Sequence, residues 1–104
     1  SQVTTAQTQV KMLRSSLDTL RLDIGRFPTK QEGLSLLVER PDDSGLKAAW
    51  FGPYIDGSVP DDPWGNPYLY KPPSGPRGVP EVISYGADGE PGGEGLNADI
   101  SSTT

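Results

Sequence analysis

The residues of this chain with the clearest chemical potential are carboxylates gathered in one glycine-rich stretch. Between Ser84 and Ile100 the sequence has four acidic residues, five glycines and no basic residue. Carboxylates held this close repel one another, and glycine loses more backbone entropy than other residues when it becomes ordered. A bound cation would offset both costs, and calcium is favoured over magnesium because it accepts carboxylate and carbonyl oxygens in a flexible geometry. The stretch therefore predicts a calcium site.

Composition alone leaves an alternative of equal weight, a solvated acidic loop whose glycines form turns. The stretch is not an EF-hand, because it has no run of acids at alternate positions, no closing glutamate at the twelfth position and no second flanking helix. It also lacks the repeated glycine-rich nonapeptide of calcium-binding β-rolls. A cation site here would be of another kind.

Catalysis is the less favoured chemistry for the same carboxylates. Asp88 and Asp99 would be the pair to test as acid and base, as in a glycoside hydrolase. A catalytic acid needs burial, however, and an acidic loop in a small domain supplies little of it. The chain has no histidine, and it shows no nucleophile elbow, phosphate loop or dinucleotide-binding motif. The sequence therefore predicts a protein that is not an enzyme.

Length and charge limit the remaining classes of function. A chain of 104 residues makes one domain with a small core. Its net charge of −5 disfavours nucleic acid as a partner, and it has no cysteine that could form a disulfide. No apolar run is long enough to span a membrane. Two tryptophans and four tyrosines favour an ordered domain despite the many glycines and prolines.

The first quarter of the chain, residues 1–25, is predicted to be one long helix. Apolar residues recur there every three or four positions and form a single stripe, and Gly25 follows as a C-terminal stop. The stripe consists of Val3, Ala6, Val10, Leu13, Leu17, Leu20 and Ile24. Such a helix is expected to pack on a sheet, or to be the lower half of a longer helix whose upper half packs against other copies.

A shorter second helix is predicted over residues 29–40. It opens with a capping-box pattern in which Thr29 and Glu32 satisfy each other's backbone N–H groups, and a proline ends it. The polar segment that follows is expected to be irregular, with Trp50 and Phe51 as apolar anchors.

Short β-prone runs in residues 54–85 predict a small antiparallel sheet that the long helix covers, so the fold class is α+β. The runs are Tyr54-Ile55, Tyr68-Leu69-Tyr70 and Val82-Ile83-Ser84-Tyr85. Between the first two lies a rigid turn, Asp62-Pro63-Trp64-Gly65-Asn66-Pro67. The candidate calcium loop then occupies residues 85–100.

Four motifs, taken in order, resemble those of one family. The first two follow the long helix and are Asp23-Ile24-Gly25-Arg26-Phe27-Pro28-Thr29 and Gln31-Glu32-Gly33-Leu34. The third is the rigid turn with Tyr68 after it, and the fourth is the Gly-Ala-Asp-Gly, Gly-Gly-Glu-Gly and Ala-Asp-Ile series within 84–100. Together they cover nearly the whole chain and resemble the major pseudopilin of the bacterial type II secretion system.

This resemblance implies a type IV pilin-like fold and a structural role. Family members begin with a cleaved, N-methylated hydrophobic segment that anchors the subunit in the inner membrane of a Gram-negative bacterium, and this chain is expected to lack it. The domain would lie in the periplasm and be monomeric without its anchor. Its implied partners are other copies of itself, minor pseudopilins and inner-membrane secretion components. The assembled filament, the pseudopilus, helps to export folded proteins across the outer membrane.

The resemblance also implies which residues hold calcium. The implied ligands are the carboxylates of Asp88 and Asp99, the backbone carbonyl of Tyr85 and, more weakly, Asn97. Glu90 and Glu94 are expected to face solvent.

Two features depart from the family pattern. The chain ends Ser101-Ser102-Thr103-Thr104, where many relatives continue with a Gly-Asn-Trp segment. Pro72–Pro80 is a proline- and glycine-rich excursion that is expected to form a surface loop.

Two alternatives to the major pseudopilin remain open from the sequence. One is a type IV pilus subunit or a minor pseudopilin, which would also be structural. The other is a periplasmic ligand-binding module, in which aromatic residues would line a pocket instead of belonging to the core. The aromatic residues in question are Trp50, Trp64, Tyr68 and Tyr70.

Overall fold

A computed structural model describes residues 1–103 as a long helix laid across a small antiparallel sheet. Helix α1 spans Gln2–Ile24 and helix α2 spans Ser44–Ala49. Strands β1, β2 and β3 lie in that order in the sheet and span Leu69–Lys71, Glu81–Ser84 and Ile100–Ser101. Two 3₁₀ helices span Gly33–Leu37 and Gly95–Asn97. The predicted α+β class is confirmed.

Helix α1 forms where the sequence predicts it. Ser1 caps the first turn, because its Oγ accepts the Thr4 N–H (3.2 Å). Gly25 ends the helix in a left-handed conformation (φ 89°) that glycine adopts without strain. The buried face consists of Ala6, Val10, Leu13, Leu17 and Leu20. This face packs on β2 and β3, and burial of each leucine side chain contributes roughly 2 kcal/mol to stability.

The predicted second helix over 29–40 is wrong in type and length. The capping box is present, since the Glu32 N–H donates to Thr29 Oγ1 (3.2 Å) and the Thr29 N–H donates to Glu32 Oε1 (2.9 Å). The chain then forms the 3₁₀ helix Gly33–Leu37, because Gly33 takes a left-handed backbone (φ 57°) that an α-helix cannot contain. The leucines of this 3₁₀ helix are buried in the core.

Helix α2 lies in a segment that the sequence predicts to be irregular. Asp43 caps it by accepting the Leu46 N–H (3.0 Å). Its six residues are too few to show an apolar period, so no sequence pattern reveals it. After α2, Trp50 is buried as predicted and donates its Nε1–H to a carbonyl of the first 3₁₀ helix (2.8 Å). Phe51 is 75% exposed, so its predicted role as an anchor is wrong.

Two of the three predicted strands are present in the sheet. β1 and β2 overlap the predicted runs at 68–70 and 82–85 and pair antiparallel, with Leu69 opposite Ile83. The predicted strand at Tyr54-Ile55 is wrong. The Tyr54 N–H donates to a carbonyl at the end of the first 3₁₀ helix (2.7 Å) instead of to a neighbouring strand.

The sheet instead gains β3, at the end of the stretch that was predicted to be a loop. Ile100 pairs with Ser84, and Ser101 pairs with Ile83. The sheet therefore lies within residues 69–101 rather than 54–85. Among the helices of residues 1–103, none combines the length and the apolar character that crossing a membrane requires.

Candidate metal centre

The acidic loop, residues 85–99, connects β2 to β3 and is closed at its base. Because Ser84 pairs with Ile100, the first and last residues of the loop leave the sheet as neighbours. The Ala87 N–H donates to the carbonyl of Leu96 (2.7 Å), so the two arms of the loop stay together beyond the sheet. The two arms of the loop are therefore held together at its base.

Gly86 lets these two arms approach closely. It is buried, its φ is 84°, and a Cβ placed on it would lie 2.8 Å from the carbonyl oxygens of both Leu96 and Ala98. Any other residue would be strained by the backbone angle and would also collide with the opposite arm. The backbone carbonyl oxygens of Leu96 and Ala98 therefore both lie close to Gly86 at the base of the loop.

The two carboxylates predicted to bind calcium are each oriented by backbone N–H groups of the loop. The Gly92 N–H lies 3.1 and 3.2 Å from the two carboxylate oxygens of Asp99. The Glu90 N–H donates to Asp88 Oδ1 (3.2 Å). Both aspartates are exposed. Since an ionised carboxylate has several lone pairs, each keeps acceptor capacity for a cation.

The weaker predicted ligands lie in the same loop. Tyr85 is half-buried directly after β2, and Asn97 is exposed at the end of the second 3₁₀ helix. A Cβ on Gly93 would lie 2.5 Å from the Asn97 carbonyl oxygen, so this part of the loop is also closely packed. Glu90 and Glu94 are exposed, in accordance with the expectation that they face solvent.

The loop's donor chemistry suits a hard cation. Within residues 1–103, no group of three or more histidine, cysteine or acidic side chains is placed to hold a metal ion. A cation would therefore depend on Asp88 and Asp99 together with backbone carbonyls such as those of Tyr85 and Ala98. This all-oxygen donor set fits calcium, whereas zinc and copper prefer nitrogen and sulfur ligands.

A buried carboxylate that the sequence analysis did not single out supports the loop. Asp62 is 4% exposed, and its Oδ2 accepts the hydroxyl of Ser84 (2.7 Å) at the end of β2. Its Oδ1 accepts the N–H groups of Trp64 (3.1 Å) and Asn66 (2.8 Å). Ser84 Oγ in turn accepts the Gly86 N–H (3.2 Å). The rigid turn, the end of β2 and the first glycine of the loop thus form one hydrogen-bonded unit.

The rigid turn also contacts the loop directly. A Cβ on Gly89 would lie 3.2 Å from the side-chain nitrogen of Asn66. The hydrogen bonds from the Trp64 and Asn66 N–H groups to Asp62 could be predicted from the sequence, because an aspartate at the start of a turn accepts backbone N–H groups a few residues later. The burial of Asp62 has no such signal, since it depends on Ser84 from a distant strand.

The aromatic residues of the alternative ligand pocket belong mainly to the core. Trp50 and Tyr68 are buried, and Tyr70 packs against the same cluster with its hydroxyl donating to the carbonyl of Pro28 (2.7 Å). Trp64 is half-buried beside the turn. This placement favours a role in the core over a role in lining a ligand pocket.

Comparison with protein families decides the relationship. The family model described as type II secretion system (T2SS), protein G matches residues 1–103. The chain belongs to the type II secretion system protein G family. It is 42% identical over 95 residues to the type II secretion system core protein G of Vibrio cholerae, which covers 91% of this chain and 64% of that protein. The Pseudomonas aeruginosa core protein G is 38% identical over 100 residues, or 96% of this chain and 70% of that protein. The chain therefore spans about two thirds of the length of these protein G relatives.

A solved structure of a major pseudopilin has the same fold. The major pseudopilin from the type 2 secretion system of enterohaemorrhagic Escherichia coli superposes with a TM-score of 0.74 at 31% identity. The match covers 99% of this chain and 88% of that chain. The family resemblance and the fold class expected from the four motifs are confirmed.

Proposed function

We propose that this chain is the periplasmic part of a structural subunit of the type II secretion pseudopilus, with no catalytic role. The observation that carries the proposal is the match of the protein G family over residues 1–103, joined to the fold of a major pseudopilin. Assembly of such subunits is heterologous, one surface patch against a different patch, which lets an open helical filament grow. Its partners would be other copies of itself, minor pseudopilins and inner-membrane secretion components.

Complementation tests this function. The full-length protein that contains this chain is expected to restore protein secretion and pseudopilus formation in a strain that lacks its own protein G. Leu17→Asp places a charge in the buried stripe of α1 and serves as the non-folding control. Failure of the unaltered protein to restore either secretion or filaments, although it is present in the membrane, would argue against the proposal.

We also propose that calcium binds in the acidic loop, held by Asp88 and Asp99, with the Tyr85 carbonyl and, more weakly, Asn97. The support is the closed loop, its two backbone-oriented carboxylates and its all-oxygen donor set. Calcium would neutralise the repulsion among the loop carboxylates and stabilise the folded chain. A ligand that binds only the folded state adds about 2.7 kcal/mol at a hundredfold excess over its Kd.

Thermal unfolding tests the calcium proposal. The melting temperature is expected to fall with a chelator and to recover with calcium, but not equally with magnesium. Asp88→Ala and Asp99→Ala should each abolish this calcium response. Glu90→Ala and Glu94→Ala, which remove exposed carboxylates of the same loop, should keep it. A melting temperature that changes with neither chelator nor calcium would contradict the calcium proposal. It would not bear on the proposed structural role.

A further inference from the structure

A second charged region lies away from the acidic loop, in a cleft between the C-terminal half of α1 and the Pro72–Pro80 segment. The cleft has a volume of about 760 Å³. Four of the nine basic residues of this acidic chain line it, together with one carboxylate, Asp18. The four are Arg14, Arg21, Arg26 and Arg77. Such a concentration of like charge indicates an anionic partner.

Two of these arginines form no ion pair with a carboxylate among the residues that the structure describes. Arg14 pairs with Asp18 (3.2 Å), and Arg26 pairs with Glu32 (2.7 Å). Within residues 1–103, Arg21 and Arg77 form no ion pair, although the Arg21 guanidinium lies over the Phe27 ring. Their charges are therefore available to an external anion.

The acidic loop of another copy offers the matching chemistry. Glu90 and Glu94 are exposed, and the proposed calcium site does not use them. Leu96 in the same loop is 60% exposed, and Val79 at the cleft is 54% exposed. Loop and cleft thus each present an unpaired charge and an exposed apolar side chain, with opposite signs of charge.

The base of the acidic loop and the Arg21 end of the cleft lie at different places along α1 in one molecule. The end of the loop at Asp99 lies beside Gln7 and Lys11, whereas the cleft begins at Arg14 and continues along the same face past Arg21. The α-helical rise separates Lys11 from Arg21 by about 15 Å. The loop is also fixed in place by its internal hydrogen bonds. We therefore consider a contact between the loop of one molecule and the Arg21 end of the cleft of another.

We propose that the acidic loop of one copy docks into the arginine-lined cleft of another. Glu90 and Glu94 pair with Arg21 and Arg77, and Leu96 contacts Val79. This inference rests on the proposed self-assembly and names the surfaces that meet.

Cysteine cross-linking in filaments of the full-length protein tests the contact. Residues 1–104 contain no cysteine, so each introduced thiol is the only one in this part of the protein. Pro76→Cys places a thiol at the cleft and Pro91→Cys places one in the loop, both at exposed positions. A mixture of the two variants is expected to form disulfide-linked dimers about tenfold faster than a mixture of Pro76→Cys with Ala48→Cys, an exposed control on α2.

Charge reversal separates a true contact from accidental proximity. In the cysteine-bearing chains, Arg77→Glu on the cleft partner or Glu94→Arg on the loop partner should each slow cross-linking about tenfold, because like charges then face each other. Both changes together should restore the rate, and added salt should slow the unaltered pair. An unchanged melting temperature of each variant confirms that it is folded.

The possible results distinguish a failure of the docking proposal from a failure of the proposed function. Filaments that form without the 76–91 cross-link would overturn the docking and leave the structural role intact. The absence of any filament would remove both. If inorganic phosphate binds the cleft with loss of binding in Arg77→Glu, while cross-linking stays at the control rate, the cleft is a small-anion site and the docking is wrong.

Discussion

At the scale of single residues, Asp62 is the one charged side chain buried within residues 1–103. It is satisfied by a hydroxyl from β2 and by two N–H groups of its own turn. A carboxylate that is out of water remains stable only with such partners. Asp62 therefore joins the rigid turn to the strand that leads into the acidic loop. Its hydrogen-bond partners are not among the residues proposed to bind calcium.

Replacing Asp62 should therefore lower the stability of the folded chain. Asp62→Ala would leave the Ser84 hydroxyl and two backbone N–H groups unpaired, and the free energy of unfolding should fall by about 3 kcal/mol. Asp61→Ala removes the neighbouring exposed carboxylate and should change stability by less than about 0.5 kcal/mol. Urea denaturation measures both. Equal losses in the two variants would show that the buried network is not what stabilises the turn.

At the scale of elements, the sequence predicts those that form from their own residues better than those that form through contacts with distant residues. Helix α1 follows from its own apolar stripe and from Gly25, so its bounds are visible in the sequence. Strand β3 has only two residues, Ile100 and Ser101, and becomes a strand because β2 lies beside it. No property of those two residues alone could reveal that pairing.

The segment that connects α1 to the first 3₁₀ helix contains one ion pair, between Arg26 and Glu32. Arg26 donates to both carboxylate oxygens of Glu32 (2.7 and 3.1 Å), and the Thr29 N–H caps the same carboxylate. The hydrogen bond from Arg26 lowers the pKa of Glu32 from 4.5 to about 2, against the opposing effect of burial. The capping box is a sequence signal, whereas the arginine pairing is a finding of the structure.

Acid unfolding should report this ion pair. Because the pKa of Glu32 is lower in the folded chain, its stabilisation is fully present above about pH 4.5 and is lost as the pH falls towards 2. Glu32→Gln should lower the free energy of unfolding by about 1 kcal/mol at neutral pH, a modest value because the pair is partly solvated. The difference in the free energy of unfolding between Glu32→Gln and the unaltered chain should shrink between pH 4.5 and 2. A difference that stays constant across this range would contradict the assignment.

At the scale of the whole molecule, two tyrosine hydroxyls connect layers of the fold. Tyr68 donates to Gln9 on α1, and Tyr70 donates to the carbonyl of Pro28 (2.7 Å). Burial raises the pKa of both tyrosines to about 12, with a smaller contribution from the charge of Asp62 at Tyr68. The aromatic composition predicts a core, but these hydrogen bonds require the tertiary structure.

Alkaline unfolding should follow from these two tyrosines. A pKa that is raised in the folded chain gives stability that is present below pH 10 and is lost as the pH rises through about 12. The double variant Tyr68→Phe with Tyr70→Phe should be less stable at neutral pH, by about 1 kcal/mol for each lost hydrogen bond. It should also lose less additional stability between pH 10 and 12, as measured by urea midpoints across that range. An equally steep alkaline loss in the double variant would assign the effect to other groups.

The packing of α1 against β3 has a consequence for how the chain comes to be folded. A ribosome delivers the N-terminal residues first, so α1 emerges with its leucine stripe facing no partner. The strands that cover the stripe follow only at Glu81–Ser84 and at Ile100–Ser101, close to the last residue described. The stripe therefore remains partly uncovered until residues 100–101 have been synthesised. Until residue 101 is released, the stripe is exposed to whatever chaperone or membrane surface is nearest.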